Sequence, residues 1–182
     1  MGREDQMSQQ RLEVVDPANA PPVWAALRNE AEAAAQKESA LASLLAAVIL
    51  NHKTLGGALS YQLARKLGDQ ELRAMSIREI AEEAYLRDPG LVEAAEADLK
   101  AVFERDPACK GYVQPFLFFK GFLALQTQRV ANSLWREGRE TLALYLQSRM
   151  SELFRSISTP RRRSAAACSS TTAPGSSWAR PR

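Results

Sequence analysis

The sequence predicts an all-α protein, and three observations carry that expectation. Apolar residues recur at helical spacing through residues 21–155. No stretch alternates polar and apolar residues with the two-residue period of a strand. The breaks between apolar stretches hold helix-start and helix-stop residues. At 182 residues one domain is the default. Neither a solenoid period nor a coiled-coil heptad is sustained. The chain divides into a polar N-terminus over residues 1–20, expected to be disordered, a helical domain over residues 21–155, and a tail over residues 156–182.

Taken in order, Pro21-Pro22 opens the first helix, because proline lacks an N–H that the first turn leaves unused. The segment VWAALRNEAEAAAQK follows, with Val23, Ala26, Leu27 and Glu30 at helical spacing on a face that is only weakly apolar. A second helix is expected from Ser39 to Asn51, apolar nearly all round and therefore central to the core. Thr54 is placed to cap LGGALSYQLARKL, which Gly68 stops. Gly56-Gly57 inside that helix cost roughly 1 kcal/mol each relative to alanine, which a close helix–helix approach would justify. Ser76 and Glu79 have capping-box spacing and predict a helix to Arg87. Asp88-Pro89 reads as a cap followed by proline at the first position, opening LVEAAEADLKAVFER. After Arg105-Asp106-Pro107 the segment ACKGYVQ reads as a loop. Pro115 then opens FLFFKGFLALQTQRVANSLWREG, whose Phe116, Phe118, Phe119 and Phe122 are expected in the core. Gly138 breaks it, and RETLALYLQSRMSELF runs to Phe154, giving about seven helices.

The formal charge of +3 belongs to the tail. Residues 156–182 hold five of the 24 Lys+Arg and none of the 21 Asp+Glu, so 19 basic and 21 acidic residues leave the rest at −2. A body near neutrality argues against a nucleic-acid surface, which needs clustered cations against phosphate. Arg161-Arg162-Arg163 is too short a run to reverse that. Cys109 and Cys168 are far apart and in no metal-ligand spacing, which suits a reducing cytoplasm and predicts no metal. The N-terminus lacks the apolar core of a signal peptide. The longest apolar run, Ala40 to Leu50, is too short to span a bilayer, so no membrane association is expected.

Few residues suggest chemistry. His52, the only histidine, follows an apolar helix, where the helix dipole would favour its cation in a structural role. No nucleophile–base arrangement or glycine-rich phosphate loop can be built around it. Asp106 precedes Pro107 in a loop where its carboxylate can point outward, but turn chemistry alone explains an aspartate there. From these residues alone the expectation is a helical module, with assembly as its candidate role.

The order of PPVWAALRNEAEA, NHKTLGGALSYQLARKL, SIREIAEEAYLRDPG, FERDPACKGYVQPFLFFKGFLALQTQRVANSLW and GRETLALYLQSRMSELF closely resembles the N-terminal helical domain of bacterial serine acetyltransferases. The likeness covers roughly residues 21–155 and is densest at 105–108, 120–126 and 142–151. Asn132-Ser133 departs from it, where that family usually carries His-Trp. The resemblance implies acetyl transfer from acetyl-CoA, the co-substrate, to the hydroxyl of L-serine for cysteine synthesis. It implies that a left-handed parallel β-helix follows the helical domain and builds a trimer. A histidine there acts as general base, oriented by the aspartate of a V-D-I-H-P motif. It also implies that Asp106 binds the ammonium of substrate serine, that helical domains join two trimers into a homo-hexamer, and that the family's extreme C-terminus docks into cysteine synthase. None of the β-helix motifs is present here, so the chain is expected to bind no cofactor, to hold no catalytic residue, and to be inactive alone, with cysteine synthase docking lost. The alternative is a non-catalytic helical oligomerisation module.

The tail explains why those motifs are missing. From Ser156 it has no Leu, Val, Phe or acidic residue, while seven Ser, five Arg and three Pro fall in 27 residues. Such a segment cannot offset its ordering entropy by burial and is expected to be disordered. Regrouping its codons by one base recovers the family pattern. Ile157 can become Asp, Thr159 His, Pro160 Pro, and Arg161 and Arg162 Ala. Thr171-Thr172 can become Asp-His, and Trp178-Ala179 must contain a Gly codon. The expectation is a frameshift near Arg155, with residues 156–182 read out of frame.

Overall fold

The computed structural model describes residues 22–154; the expected disorder of residues 1–20 and the out-of-frame reading of residues 156–182 lie outside them. Every element among the described residues is helical, and no strand occurs there. The helices are α1 (Pro22–Lys37), α2 (Ser39–Leu45), α3 (Leu55–Leu67), α4 (Ala74–Arg87), α5 (Gly90–Arg105), α6 (Val113–Phe118), α7 (Lys120–Arg136) and α8 (Glu140–Phe154). Two hairpins, α3–α4 and α7–α8, make the most extensive pairings, and α1 lies along α2 while also touching α5 and α6.

The second helix does not run unbroken to Asn51. It widens into a π-helical turn over Ala46–Leu50, closed by the Asn51 N–H on the Ala46 carbonyl at 2.9 Å. Such turns are short and leave a carbonyl out of the usual ladder. Here that carbonyl is Ala47's, and the His52 ring bonds to it through Nε2 at 3.1 Å. Thr54 caps α3 as expected, its hydroxyl accepting the Gly57 N–H at 3.1 Å. Of the paired glycines, Gly56 carries the close approach: a Cβ there would stand 3.2 Å from Val92 Cγ2 and just under 4 Å from Tyr85.

The capping box at Ser76 does not form. α4 begins two residues earlier, at Ala74, with no side-chain cap on its first turn. The α3–α4 link is instead ordered by Asp69, whose Oδ1 accepts the Glu71 and Leu72 N–H groups at 2.8 Å each. At Gly68, any Cβ would come 2.8 Å from the Ala74 backbone, so the link closes too tightly for a side chain. Asp88 does cap α5: its Oδ1 accepts the Gly90 N–H, and Pro89 already has helical dihedrals.

Pro115 opens no long helix. It sits in the first turn of the short α6, and the chain breaks at Phe119 (φ −80°, ψ 109°) before α7 restarts at Lys120. Val113 and Gln114, expected in the loop, belong to α6. Phe116 and Phe122 are buried and Phe119 packs against the core, but Phe118 is 56 % exposed. Gly138 ends α7 with a left-handed φ of 79°. The Gly138 N–H reaches the Trp135 carbonyl and the Arg139 N–H the Leu134 carbonyl, a Schellman closure that turns the chain into α8. α8 buries Ala143, Leu146 and Met150 and leaves Leu144 and Leu153 exposed. Its last turns are tied to the α3–α4 link, where Asp69 Oδ2 accepts from Tyr145 at 2.9 Å and pairs with Arg149 at 3.1 Å. Those amide and hydroxyl bonds, the Leu72 N–H first, hold the Asp69 carboxyl below its ordinary pKa.

Candidate functional site: the Asp106 loop

Asp106 ends α5. Its backbone is extended (φ −102°, ψ 102°), as the following proline demands, since a residue before proline is driven out of the helical region. Its N–H still reaches the Val102 carbonyl at 3.0 Å. The turn chemistry read from the sequence is present: Oδ1 accepts the Ala108 N–H at 2.9 Å, and the main-chain carbonyl accepts the Cys109 N–H at 2.9 Å. These bonds fix the carboxylate's direction. They do not neutralise it, and no Lys or Arg forms an ion pair with Asp106 among the described residues. The last carbonyls of α5 add negative potential at the same place, which favours a cation there. A half-buried, oriented carboxylate at a helix C-terminus is suited to an ammonium group.

The rest of the loop supports that direction. Cys109 is buried and free of any disulfide, and its thiol bonds to the Gly111 carbonyl at 3.2 Å. The Lys110 N–H reaches Gln114 Oε1, and the Phe103 and Tyr112 rings meet at 5.2 Å between centroids. One partner comes from far away in sequence: Glu30 of α1 accepts the Val113 N–H at 3.0 Å. Sequence reading placed Glu30 on the inner stripe of α1 without giving it a purpose. An acid one turn from the fully buried Leu27 and beside Ala31 was the available signal.

His52 lies elsewhere, in the turn between the π-helical segment and α3, and its ring stands 5.2 Å from that of Tyr61. The carbonyl of Ala47 can only accept, so Nε2 carries the proton. Burial lowers its pKa below 6.5, with Arg78 also opposing the cation, and this outweighs the raising effect of the Ala47 bond and of Glu82. The expectation that a helix dipole favours the imidazolium is thus reversed: desolvation wins, and the ring is a neutral structural donor. No group of three or more potential metal ligands occurs among the described residues. No helix among them is long and apolar enough to cross a membrane. A shallow depression of about 470 Å³ is lined by Asp69, Gln70, Glu71, Tyr145, Ser148, Arg149 and Glu152, and Asp106 is not part of it.

Comparison with known proteins meets this geometry from outside. The family described as serine acetyltransferase, N-terminal, matches residues 23–127. The serine acetyltransferase of Haemophilus influenzae is 46% identical over 132 residues, covering 72% of this chain and 49% of that protein. A solved Neisseria gonorrhoeae serine acetyltransferase in complex with serine is 46% identical, with a TM-score of 0.71, covering 74% of this chain and 55% of that one. A serine acetyltransferase in complex with CoA is 45% identical with a TM-score of 0.74, covering 76% of this chain and 58% of that one. The chain spans about half the length of the curated relatives it matches.

Proposed function

Because the chain belongs to the serine acetyltransferase family through its helical domain, we propose that this domain serves transfer of an acetyl group from acetyl-CoA to the hydroxyl of L-serine, with Asp106 holding the serine ammonium. The observation that carries this is the Asp106 carboxylate, aimed by the Ala108 N–H, at the negative end of α5 and without a cationic partner among the described residues. The relatives solved with serine and with CoA support the substrate pair. The product, O-acetylserine, is an activated precursor for cysteine synthesis, and a cytoplasmic location suits that chemistry and a chain whose two cysteines lie far apart in sequence.

We infer that the 182 residues do not themselves supply the histidine general base that the family resemblance implies. His52 is the only histidine, it is buried, and its proton is committed to Ala47. The purified chain is therefore expected to release no CoA from acetyl-CoA and L-serine; measurable release would overturn this reading. We attribute the missing base to a frameshift near the codon for Arg155. Resequencing the DNA from Phe154 to Pro160 tests that directly. In a gene with the frame restored, CoA release should appear, and Asp106→Asn should lower kcat/KM for serine by about 100-fold, the scale of a lost charge-assisted contact of about 3 kcal/mol. An unchanged KM for serine would remove Asp106 from the site.

The second reading, an oligomerisation module, is favoured by Met75 and Leu86, which are 62 % and 74 % exposed and share a face of α4. The family's homo-hexamer, a dimer of trimers, would use such a surface. Light scattering on the purified chain checks it, and a strict monomer at all concentrations counts against it.

A further inference from the structure

Among the described residues, one long-range side-chain hydrogen bond fastens the Asp106 loop to α1. Glu30 Oε2 accepts the Val113 N–H at 3.0 Å across 83 residues of sequence. Gly111 lies directly against the same carboxylate: a Cβ there would stand 2.5 Å from Oε2 and 2.7 Å from Cδ. Gly111 does not have a positive φ, so what its missing side chain provides is the space that the Glu30 carboxylate occupies, and any Cβ there would displace that carboxylate. The Gly111 carbonyl in turn accepts the Cys109 thiol at 3.2 Å. The Cys109 N–H donates to the Asp106 carbonyl, and the Ala108 N–H to the Asp106 carboxylate. A continuous run of contacts therefore links Glu30 to Asp106. Its anchor stands on a packed stretch of α1, with Leu27 one turn before Glu30 and Ala31 just after it both fully buried.

We propose that Glu30 is a positioning residue for Asp106: its carboxylate, admitted by the bare backbone of Gly111, clamps the 106–113 loop and sets where the Asp106 carboxylate points. The functional meaning rests on the serine-binding reading of Asp106; the geometry does not.

Cys109 reports the clamp. With Cys168→Ser, it is the only thiol left in the chain, and it is buried. In the native protein its reaction with an aromatic disulfide reagent should be slow. Glu30→Ala deletes the acceptor, and Gly111→Ala pushes the Glu30 carboxylate off the amide. Each should speed Cys109 labelling by about fivefold, the effect of easier local opening. Hydrogen exchange at the Ala108 amide should quicken with it. Glu30→Gln keeps an acceptor oxygen and should hold labelling within about twofold of the parent. The thermal midpoint should move by no more than about 3 °C in any of these variants. Parent-like labelling in either Glu30→Ala or Gly111→Ala overturns the clamp. So does acceleration that tracks a falling midpoint, which would make Glu30 a general support of the fold. No serine enters the experiment, so the clamp can hold while the Asp106→Asn kinetics fail, or the reverse.

Discussion

α1 fastens two loops, and it does so with opposite chemistry. At the turn over residues 50–54, α1 offers donors: Arg28 Nη1 reaches the Leu50 and His52 carbonyls at 3.1 and 2.6 Å, and Trp24 Nε1 reaches the Lys53 carbonyl at 3.0 Å. That turn follows a helical segment, where carbonyls are left over and a cation is favoured. At the loop over residues 106–113, α1 offers an acceptor: Glu30 takes the Val113 N–H at the start of α6, where amides are left over and an anion is favoured. One helix thus meets helix ends of opposite polarity, with side chains of matching sign only two residues apart. The two fastenings differ in redundancy. Trp24 and Arg28 act together through three hydrogen bonds, with Arg28 also lying over the Trp24 ring at 5.7 Å, whereas Glu30 gives the second loop one hydrogen bond among the described residues. The first is built into the core; the second holds a loop whose candidate role is to present a carboxylate.

That contrast orders the expected losses. Trp24 is 2 % exposed, so Trp24→Ala should cost about 3–5 kcal/mol, a cavity plus an orphaned carbonyl, and should lower the melting midpoint more than any other change on α1. Arg28→Ala removes one nitrogen that serves two carbonyls and should cost about 1–3 kcal/mol. Glu30→Ala should cost only about 0.5–1 kcal/mol globally, because the loop can open without unfolding the helices. Denaturant titration of the three variants checks the order. A loss at Glu30 as large as that at Arg28 would break the distinction between a core fastening and a loop clamp.

The same contrast explains what could be read from the sequence. The all-α class, the start of α3 at Thr54, the Asp88 cap of α5 and the end of α7 at Gly138 follow from local chemistry, because these caps and the closure at Gly138 join residues only two to five apart. Asp106 was legible as a turn residue for that reason, and its candidate role came only from the family resemblance. Ser76 failed as a cap because Asp69 and the tight closure at Gly68 start α4 sooner, a constraint set by packing between helices. The break at Phe119 and the exposure of Phe118 are likewise decided by how α6 and α7 meet the core, and no spacing rule reports that. Glu30 and Gly111 are 81 positions apart, so each reads as unremarkable until the fold brings them together.

The smallest expected effect tests the donor side of the comparison by pH. His52 sits within the turn held by Arg28, and its ring, neutral and bonded to Ala47, completes the π-helical turn. Burial lowers its folded pKa below 6.5. Above pH 6.5 the ring is neutral in both folded and unfolded chains, and its contribution is fully present. As the pH falls below 6.5 the unfolded chain takes up the proton first, so stability declines until the folded pKa is passed. His52 is the only histidine, the side chain whose ordinary pKa lies between pH 5 and 8. The midpoint should therefore fall between pH 7.5 and 5.5, and His52→Gln should flatten that slope while lowering the midpoint at neutral pH. Glu30→Ala should leave the slope untouched, because the clamp sits on the other loop. A slope that survives in His52→Gln would place the titration outside the 50–54 turn and leave its fastening to Trp24 and Arg28 alone.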